Sequence, residues 1–273
     1  MGRPLGIILI ITFFLQPRTG LAAFKTIPLG VRPAGLAGAF VALANDANAA
    51  LMNPAGIPLL DGPELTTFHT RLYGIDDLRR MMAAVAIPTS VGGVGVFVHS
   101  LGGDLYRESV VGISYSRALS QRLFLGTTIR MLMLAINSYG ATNGSAWDAG
   151  MLILLPSGVQ AGLKMEGIRR SSIAGRSDTI PRSVRLGLSR TGGGITIAVQ
   201  FDLEQGRPVA ARIGQEFRVM APVIIRTGLL TSPSVFFAGL GIEISRLEAS
   251  YTASSHPILG ATHRVGLSVR FRG

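Results

Sequence analysis

The chain has 273 residues, 26 Lys and Arg against 15 Asp and Glu, no cysteine, and 48% of its residues in the hydrophobic class. That is too apolar for a disordered chain, and the lack of cysteine excludes a disulfide framework and thiolate metal sites. A formal charge of +11 suits nucleic acid when it clusters with aromatics, but here the arginines are scattered along the chain and no nucleic-acid partner is expected.

The first stretch, MGRPLGIILIITFFLQPRTGLAAF, has Arg3 as a positive start, an apolar run from Leu5 to Leu15 and a small-residue site at Gly20-Leu21-Ala22. It reads as a secretory signal peptide over residues 1–22, with the mature chain starting near Ala23 or Phe24. No later apolar run approaches the roughly 18 residues that a membrane helix requires.

Residues 23–62 read as a second unit. PAGLAGAFVAL, 33–43, carries Ala34, Gly35, Ala37, Gly38 and Ala39, suited to a short, tightly packed helix. Asn45, Asp46, Asn48 and the turn Asn53-Pro54-Ala55-Gly56 then offer side-chain to backbone hydrogen bonds for irregular chain.

From residue 63 to 273 the apolar positions recur every second residue. Val159, Ala161, Leu163 and Met165 alternate with Gln160, Gly162, Lys164 and Glu166. Ile195, Ile197, Val199, Phe201 and Leu203 alternate with Thr196, Ala198, Gln200, Asp202 and Glu204, and Val265, Leu267, Val269 and Phe271 with Arg264, Gly266, Ser268 and Arg270. The pattern predicts strands over 63–72, 79–88, 92–100, 105–117, 121–135, 145–155, 158–168, 181–191, 193–204, 208–219, 222–231, 234–244, 246–254 and 262–271. These segments of about 8 to 14 residues are the size of tilted membrane strands, which predicts an all-β fold: a single transmembrane antiparallel β-barrel of about 14 strands. Connections after the fifth, seventh and thirteenth segments (INSYGATNGS, RRSSIAGRSDTI, SSHPILGAT) read as long loops, and those after the fourth, sixth, eighth and tenth as tight turns. Tyr139 and Trp147 then flank a loop, as girdle aromatics do.

A soluble sandwich shows the same alternation but normally carries many lysines on its wet face. Here Lys25 and Lys164 are the only two, and the polar face is rich in Gly, Ser and Thr, which suits a narrow lumen. Irregular backbone at membrane depth is tolerated inside protein or a wet cavity. Residues 23–62 are therefore expected to plug the barrel, with Gly35, Gly38, Asn45, Asp46, Asn53, Pro54, Ala55 and Gly56 as the hatch residues. Glycines on the lumen face, at 162, 187, 214, 228, 239, 241 and 266, leave room for another backbone. Neighbouring strands mostly carry opposite charge on that face: Glu166, Arg185, Asp202, Arg212, Glu216, Arg226, Glu243, Glu248 and Arg264 form an expected lumen network. Arg169, Arg170 and Arg176 in the longest loop read either as lipid-phosphate contacts or as a solvated loop.

His69, His99, His256 and His263 stand in no metalloprotease or nucleophile-elbow context, so neither an enzyme nor a cofactor is expected. If the barrel passes ligand, a lateral gap or kink is expected at Gly92-Gly93, Gly102-Gly103 or Gly192–Gly194; if it serves as an anchor, a continuous wall is expected.

LGVRPAGLAGAFVALANDANAALMNPAGI, IPRSVRLGLS and LGATHRVGLSVRF, in that order, resemble FadL-like outer-membrane proteins of the PorV/PorQ type. The resemblance implies a fourteen-stranded barrel with an N-terminal hatch in the outer membrane of a Gram-negative-type bacterium. It implies insertion by the outer-membrane assembly machinery through the last strand, with Phe271 as the C-terminal signal. Two uses follow from it: passage of small hydrophobic molecules, or a non-transporting anchor or shuttle for a secreted or envelope protein.

Overall fold

The computed structural model describes residues 24, 28–171 and 182–271; the leader expected over 1–22 lies outside them. The described residues hold fourteen strands that close into one barrel: β1 (Glu64–Arg71), β2 (Arg79–Thr89), β3 (Gly92–Gly102), β4 (Tyr106–Ala118), β5 (Leu123–Ile136), β6 (Gly140–Leu154), β7 (Val159–Arg170), β8 (Ser183–Gly192), β9 (Ile195–Glu204), β10 (Ala210–Met220), β11 (Val223–Thr231), β12 (Ser234–Ile244), β13 (Leu247–His256) and β14 (Gly260–Arg270). Each strand pairs antiparallel with its neighbours in sequence, and β1 closes on β14. No edge is left over, which is what a sheet needs to cross lipid. No described helix is long and apolar enough to cross a membrane.

The period of two sorts the faces. Val94, Val96 and Val98 on β3 and Ile195, Ile197 and Phe201 on β9 are exposed, while Phe97, Thr196 and Gln200 between them are buried. The exposed face is apolar and the buried face mixed, the reverse of a soluble domain.

Two of the long loops expected from the sequence are tight turns. Ile136 pairs with Gly140 and His256 with Gly260, leaving three-residue connections where INSYGATNGS and SSHPILGAT suggested loops. The strands run on with polar residues on both faces, because an unbroken ladder of backbone hydrogen bonds outweighs the turn preference of Gly, Asn and Ser. Trp147 consequently lies within β6, facing outward opposite Ile129, and flanks no loop; Tyr139 sits at the turn tip. Arg169 and Arg170 finish β7, while Arg176 lies outside the described residues.

Four of the glycines expected to mark a lateral gap are paired, Gly92 with Thr89, Gly93 with Pro88, Gly102 with Arg107 and Gly192 with Ile195, while Gly103, Gly193 and Gly194 lie in connections between strands. Irregularity falls elsewhere. β7 bulges against β6 at Gly167, whose φ of 66° suits glycine and whose N–H donates to Asp148 Oδ1 at 2.9 Å. Along β1 and β14 the ladder covers Glu64–Thr66 and His69–Arg71. Between them the Thr67 hydroxyl bridges, donating to the Leu267 carbonyl and accepting its N–H, both at 3.3 Å.

The barrel has a terminal rim, where β1 starts and β14 ends, and a distal rim at the opposite end of the strands. Its lumen holds the chain that precedes β1: α1 (Val31–Gly35), α2 (Ala49–Met52) and a 3-10 turn (Pro54–Leu59) joined by irregular backbone. Leu36, Phe40, Val41, Leu43 and Ile57 are fully buried there, each worth about 1.5–3 kcal/mol of apolar burial. α1 packs on β11 to β14, α2 on β2 to β4, and the 3-10 turn on β2 to β6.

Candidate functional site

Seven backbone groups of the irregular interior chain are met by side chains of the lumen wall. Gln200 Oε1 accepts the N–H groups of Phe40 and Val41 at 3.1 and 2.9 Å. Thr252, Ser189 and Ser114 donate their hydroxyls to the carbonyls of Val31, Ala42 and Ala50 at 3.0, 3.1 and 2.5 Å. Arg212 Nη1 reaches the Ala37 carbonyl at 2.6 Å, and the Lys164 ammonium, 1% exposed, donates to that of Leu51. A buried backbone left unpaired would cost about 1–3 kcal/mol per group, so these polar strand residues decide where the segment lies.

Lumen glycines let it approach. A Cβ on Gly162 would stand 2.3 Å from the Val41 carbonyl oxygen, and one on Gly228 2.5 Å from the Ala37 nitrogen. Gly214 likewise faces the Leu36 backbone, whereas Gly187 and Gly266 face the Val41 and Val31 side chains, and Gly239 and Gly241 face Thr252, Arg226 and Glu248. The lumen glycines thus divide between backbone approach and side-chain room.

Within the segment, Asn53 Nδ2 donates to the Val41 and Met151 carbonyls at 2.6 and 3.1 Å, and its Oδ1 caps the 3-10 turn through Ala55 N–H at 3.3 Å. Pro54 opens that turn, and Gly56 is required because a Cβ there would lie 1.9 Å from the Ala44 carbonyl oxygen. Asp46 Oδ1 accepts from the Asn48 N–H and amide at 2.8 and 2.9 Å, and Arg32 Nη1 reaches Asn45 and Asp46 at 2.9 Å each. Gly35 abuts Arg226, and Gly38, with φ 83°, abuts Arg212.

The carboxylates expected in the lumen network fall into three groups. Glu166 joins Lys164 at 2.8 Å and Arg185 at 2.6 Å. Asp202 joins Arg212 at 2.5 Å and the Gln200 amide at 2.6 Å. The largest group starts on the interior segment: Glu216 holds Arg32 at 2.8 Å and Arg226 at 2.6 Å, and Arg226 reaches Glu248 at 2.6 Å. That last pair spans β12, whose inward Gly239 and Gly241 leave the space. Glu248 also meets Arg270 at 3.4 Å, and Glu243 meets Arg218 at 2.6 Å as well as Arg270.

Arg264 departs from the expected network. It donates to the Ser254 hydroxyl at 2.8 Å and lies 5.5 Å over the Phe237 ring, with no carboxylate among its recorded contacts. Sequence reasoning left out Arg32, Lys164, Gln200, Arg270 and the Arg130–Asp148 pair at 2.7 Å. The rarity of lysine in this chain was the available signal for Lys164; Arg32 had none, because it is not on a strand.

Two spaces remain inside. A cavity of about 760 Å³ opens at the terminal rim, lined by Arg32, Glu64, Arg218, Arg226, Glu248 and Arg270 among others. Phe271 lines its edge, its N–H bonded to the Pro63 carbonyl at 2.8 Å. Toward the distal rim a pocket of about 50 Å³ lies between apolar Leu29, Leu51, Met52, Phe97 and Val110 and polar Arg80, His99 and Arg130.

The histidines do not converge. His99 stacks on Phe97, His256 meets the edge of Tyr73, His263 Nδ1 bonds Tyr251 Oη at 2.5 Å, and His69 faces outward. Among the described residues no group of three or more His, Asp or Glu could hold a metal ion.

No family model matches the chain, and no curated protein matches it. Solved structures do resemble it. A monoaromatic hydrocarbon channel, CymD, superposes with a TM-score of 0.72 at 11% identity over 92% of this chain and 100% of that one. The Ralstonia pickettii toluene transporter TbuX gives 0.69 at 11% identity, over 91% and 100%. A Pseudomonas aeruginosa FadL homologue gives 0.63 at 11% identity, over 92% and 100%. The first two of these neighbours are described as a channel and a transporter. The chain shares their fold, a closed β-barrel that points to a bacterial outer membrane.

Proposed function

We propose that the protein passes small hydrophobic molecules across the outer membrane through a lumen plugged by residues 23–62. The observation that carries this reading is the pairing of a filled lumen with a pocket on its distal side, part of whose wall is apolar while Arg80, His99, Arg130, Glu166 and Arg185 line the rest. Leu29, Leu51 and Met52 of the interior segment supply one side of the apolar part, and Phe97 and Val110 of the barrel the other. At about 50 Å³ the pocket is too small for an aromatic ring, so passage requires the segment to shift. The resemblance of the fold to hydrocarbon channels supports the same direction.

A second reading is favoured by the density of hydrogen bonds holding the segment. On it, the barrel is a PorV/PorQ-type anchor for a secreted or envelope protein, and the plug is permanent. The two are separated by single-channel conductance and by uptake of a monoaromatic hydrocarbon into liposomes. The intact protein is compared with a variant lacking residues 33–56. Transport predicts a silent intact channel that still admits the hydrocarbon, and a conducting deletion. No hydrocarbon uptake by the intact protein overturns the transport reading.

A further inference from the structure

The register of the strands places cations in one row on the outer face of the distal rim. His263 pairs with Arg71, Arg71 with Arg79, and one residue beyond the Arg80–Leu101 pair stands Gly102, which pairs with Arg107. All lie on the outward face of their strands: Arg71 in line with His69 and Thr67, Arg79 with Met81, His263 with Val265, Arg107 with Val111. Adjacent strands are about 4.8 Å apart, so the row covers about 19 Å of the rim. Like charges opposite one another, as at Arg71 and Arg79, repel unless an anion lies between them.

Directly below the row, about 7 Å down the strands, an apolar groove of about 780 Å³ crosses the β14–β1 seam. Met81, Ala83, Val98, Leu240, Val265 and Leu267 line it. It lies where the Thr67 hydroxyl replaces the ladder, and Tyr251 joins groove to row by its 2.5 Å bond to His263.

Acidic partners of the row stand on the water side. Arg71 meets Asp76 at 3.1 Å and Arg107 meets Asp104 at 3.5 Å, but those carboxylates belong to the turns and are 82% and 97% exposed; Asp77 is exposed beside them. Exposed ion pairs of this kind hold weakly and leave the membrane side of each guanidinium available.

We propose that this seam is a binding site for an anionic phosphorylated lipid, its phosphate on the row of Arg71, Arg79 and His263 and its acyl chain in the groove. Arginine suits the phosphate because its planar fork donates two bonds to one anion. The groove suits the chain because its lining is almost wholly apolar. The site is independent of whether the lumen transports.

The test is native mass spectrometry of the full chain released from non-ionic micelles. The protein is titrated with phosphatidylglycerol, with phosphatidylcholine and with inorganic phosphate. A phosphatidylglycerol adduct should outlast a phosphatidylcholine adduct. R71Q/R79Q should weaken it about thirtyfold, since each arginine near an anionic surface contributes roughly fivefold. Ala83→Phe, which fills the groove and leaves the cations, should weaken it as well, and R117Q/R122Q at the opposite rim should not. Heat-shifted gel migration shows that each variant is folded. Equal retention of the two lipids, an R71Q/R79Q adduct as tight as the parent's, or displacement of the lipid by inorganic phosphate overturns the proposal. Displacement would leave a bare anion site, and Ala83→Phe would then bind phosphate unchanged.

Discussion

Arg226 is 1% exposed, bound to Glu216 and Glu248 at 2.6 Å each and to the Ser250 hydroxyl at 3.1 Å. A buried ion pair owes little of its value to Coulomb attraction alone, but removing one partner strands the other. Arg226→Ala is therefore expected to destabilise the barrel by about 3 kcal/mol, the low end for a broken buried pair, because the cavity at the terminal rim lets water reach the carboxylates. Arg264 contrasts with it, since its contacts are a hydroxyl, a carbonyl and an aromatic face. Arg264→Gln leaves no carboxylate stranded and should cost about 1–2 kcal/mol. Urea midpoints in detergent, with unfolding slopes compared, measure both. Equal losses would mean that carboxylate pairing does not organise this lumen.

Strands are the level at which the sequence was most legible, and β14 shows why. Val265, Leu267 and Val269 point outward and Arg264, Gly266 and Ser268 inward, as the alternation requires. The same logic failed at β6, where Gly140, Ala141, Thr142, Asn143, Gly144 and Ser145 form strand without any apolar face. A period of two reports contact with lipid on one side, so a strand that continues beyond the apolar band loses its signature. Strand order also made opposite charges on adjacent strands legible, such as Glu166 with Arg185. It could not supply heights along the barrel, and so missed Arg226 reaching past β12 to Glu248. Side-chain partners of the interior segment were illegible for a related reason: Gln200 and Thr252 look like ordinary lumen-facing residues until a backbone lies beside them. The face assignment itself is testable. Leu267→Arg places a charge on the lipid side and should cost about 2–4 kcal/mol if it lies near the membrane midplane, with loss of assembled barrel. Ser268→Arg points inward, where Ser268 pairs with Glu248 across the sheet, and should assemble nearly as well. Better assembly of Leu267→Arg than of Ser268→Arg, read from heat-shifted migration, would mean that the faces are reversed.

Taken whole, the barrel strands turn apolar residues outward, and most of the interior charges are paired. Val85, Val96, Ile113, Ile129, Leu188 and Ile213 are exposed on β2, β3, β4, β5, β8 and β10, and an apolar surface that encircles a protein is incompatible with a soluble monomer. The formal charge of +11 allows a second way to associate with a membrane, by attraction to anionic head groups. The two modes respond oppositely to salt. Head-group attraction is screened over a Debye length of about 3 Å at 1 M ionic strength, whereas burial of an apolar belt is not weakened. Washing membranes that contain the protein with concentrated salt should therefore release none of it, and the retained protein should migrate faster unheated than boiled. Release by salt would mean that the basic surface, not the belt, holds the protein, and that the barrel does not span the bilayer.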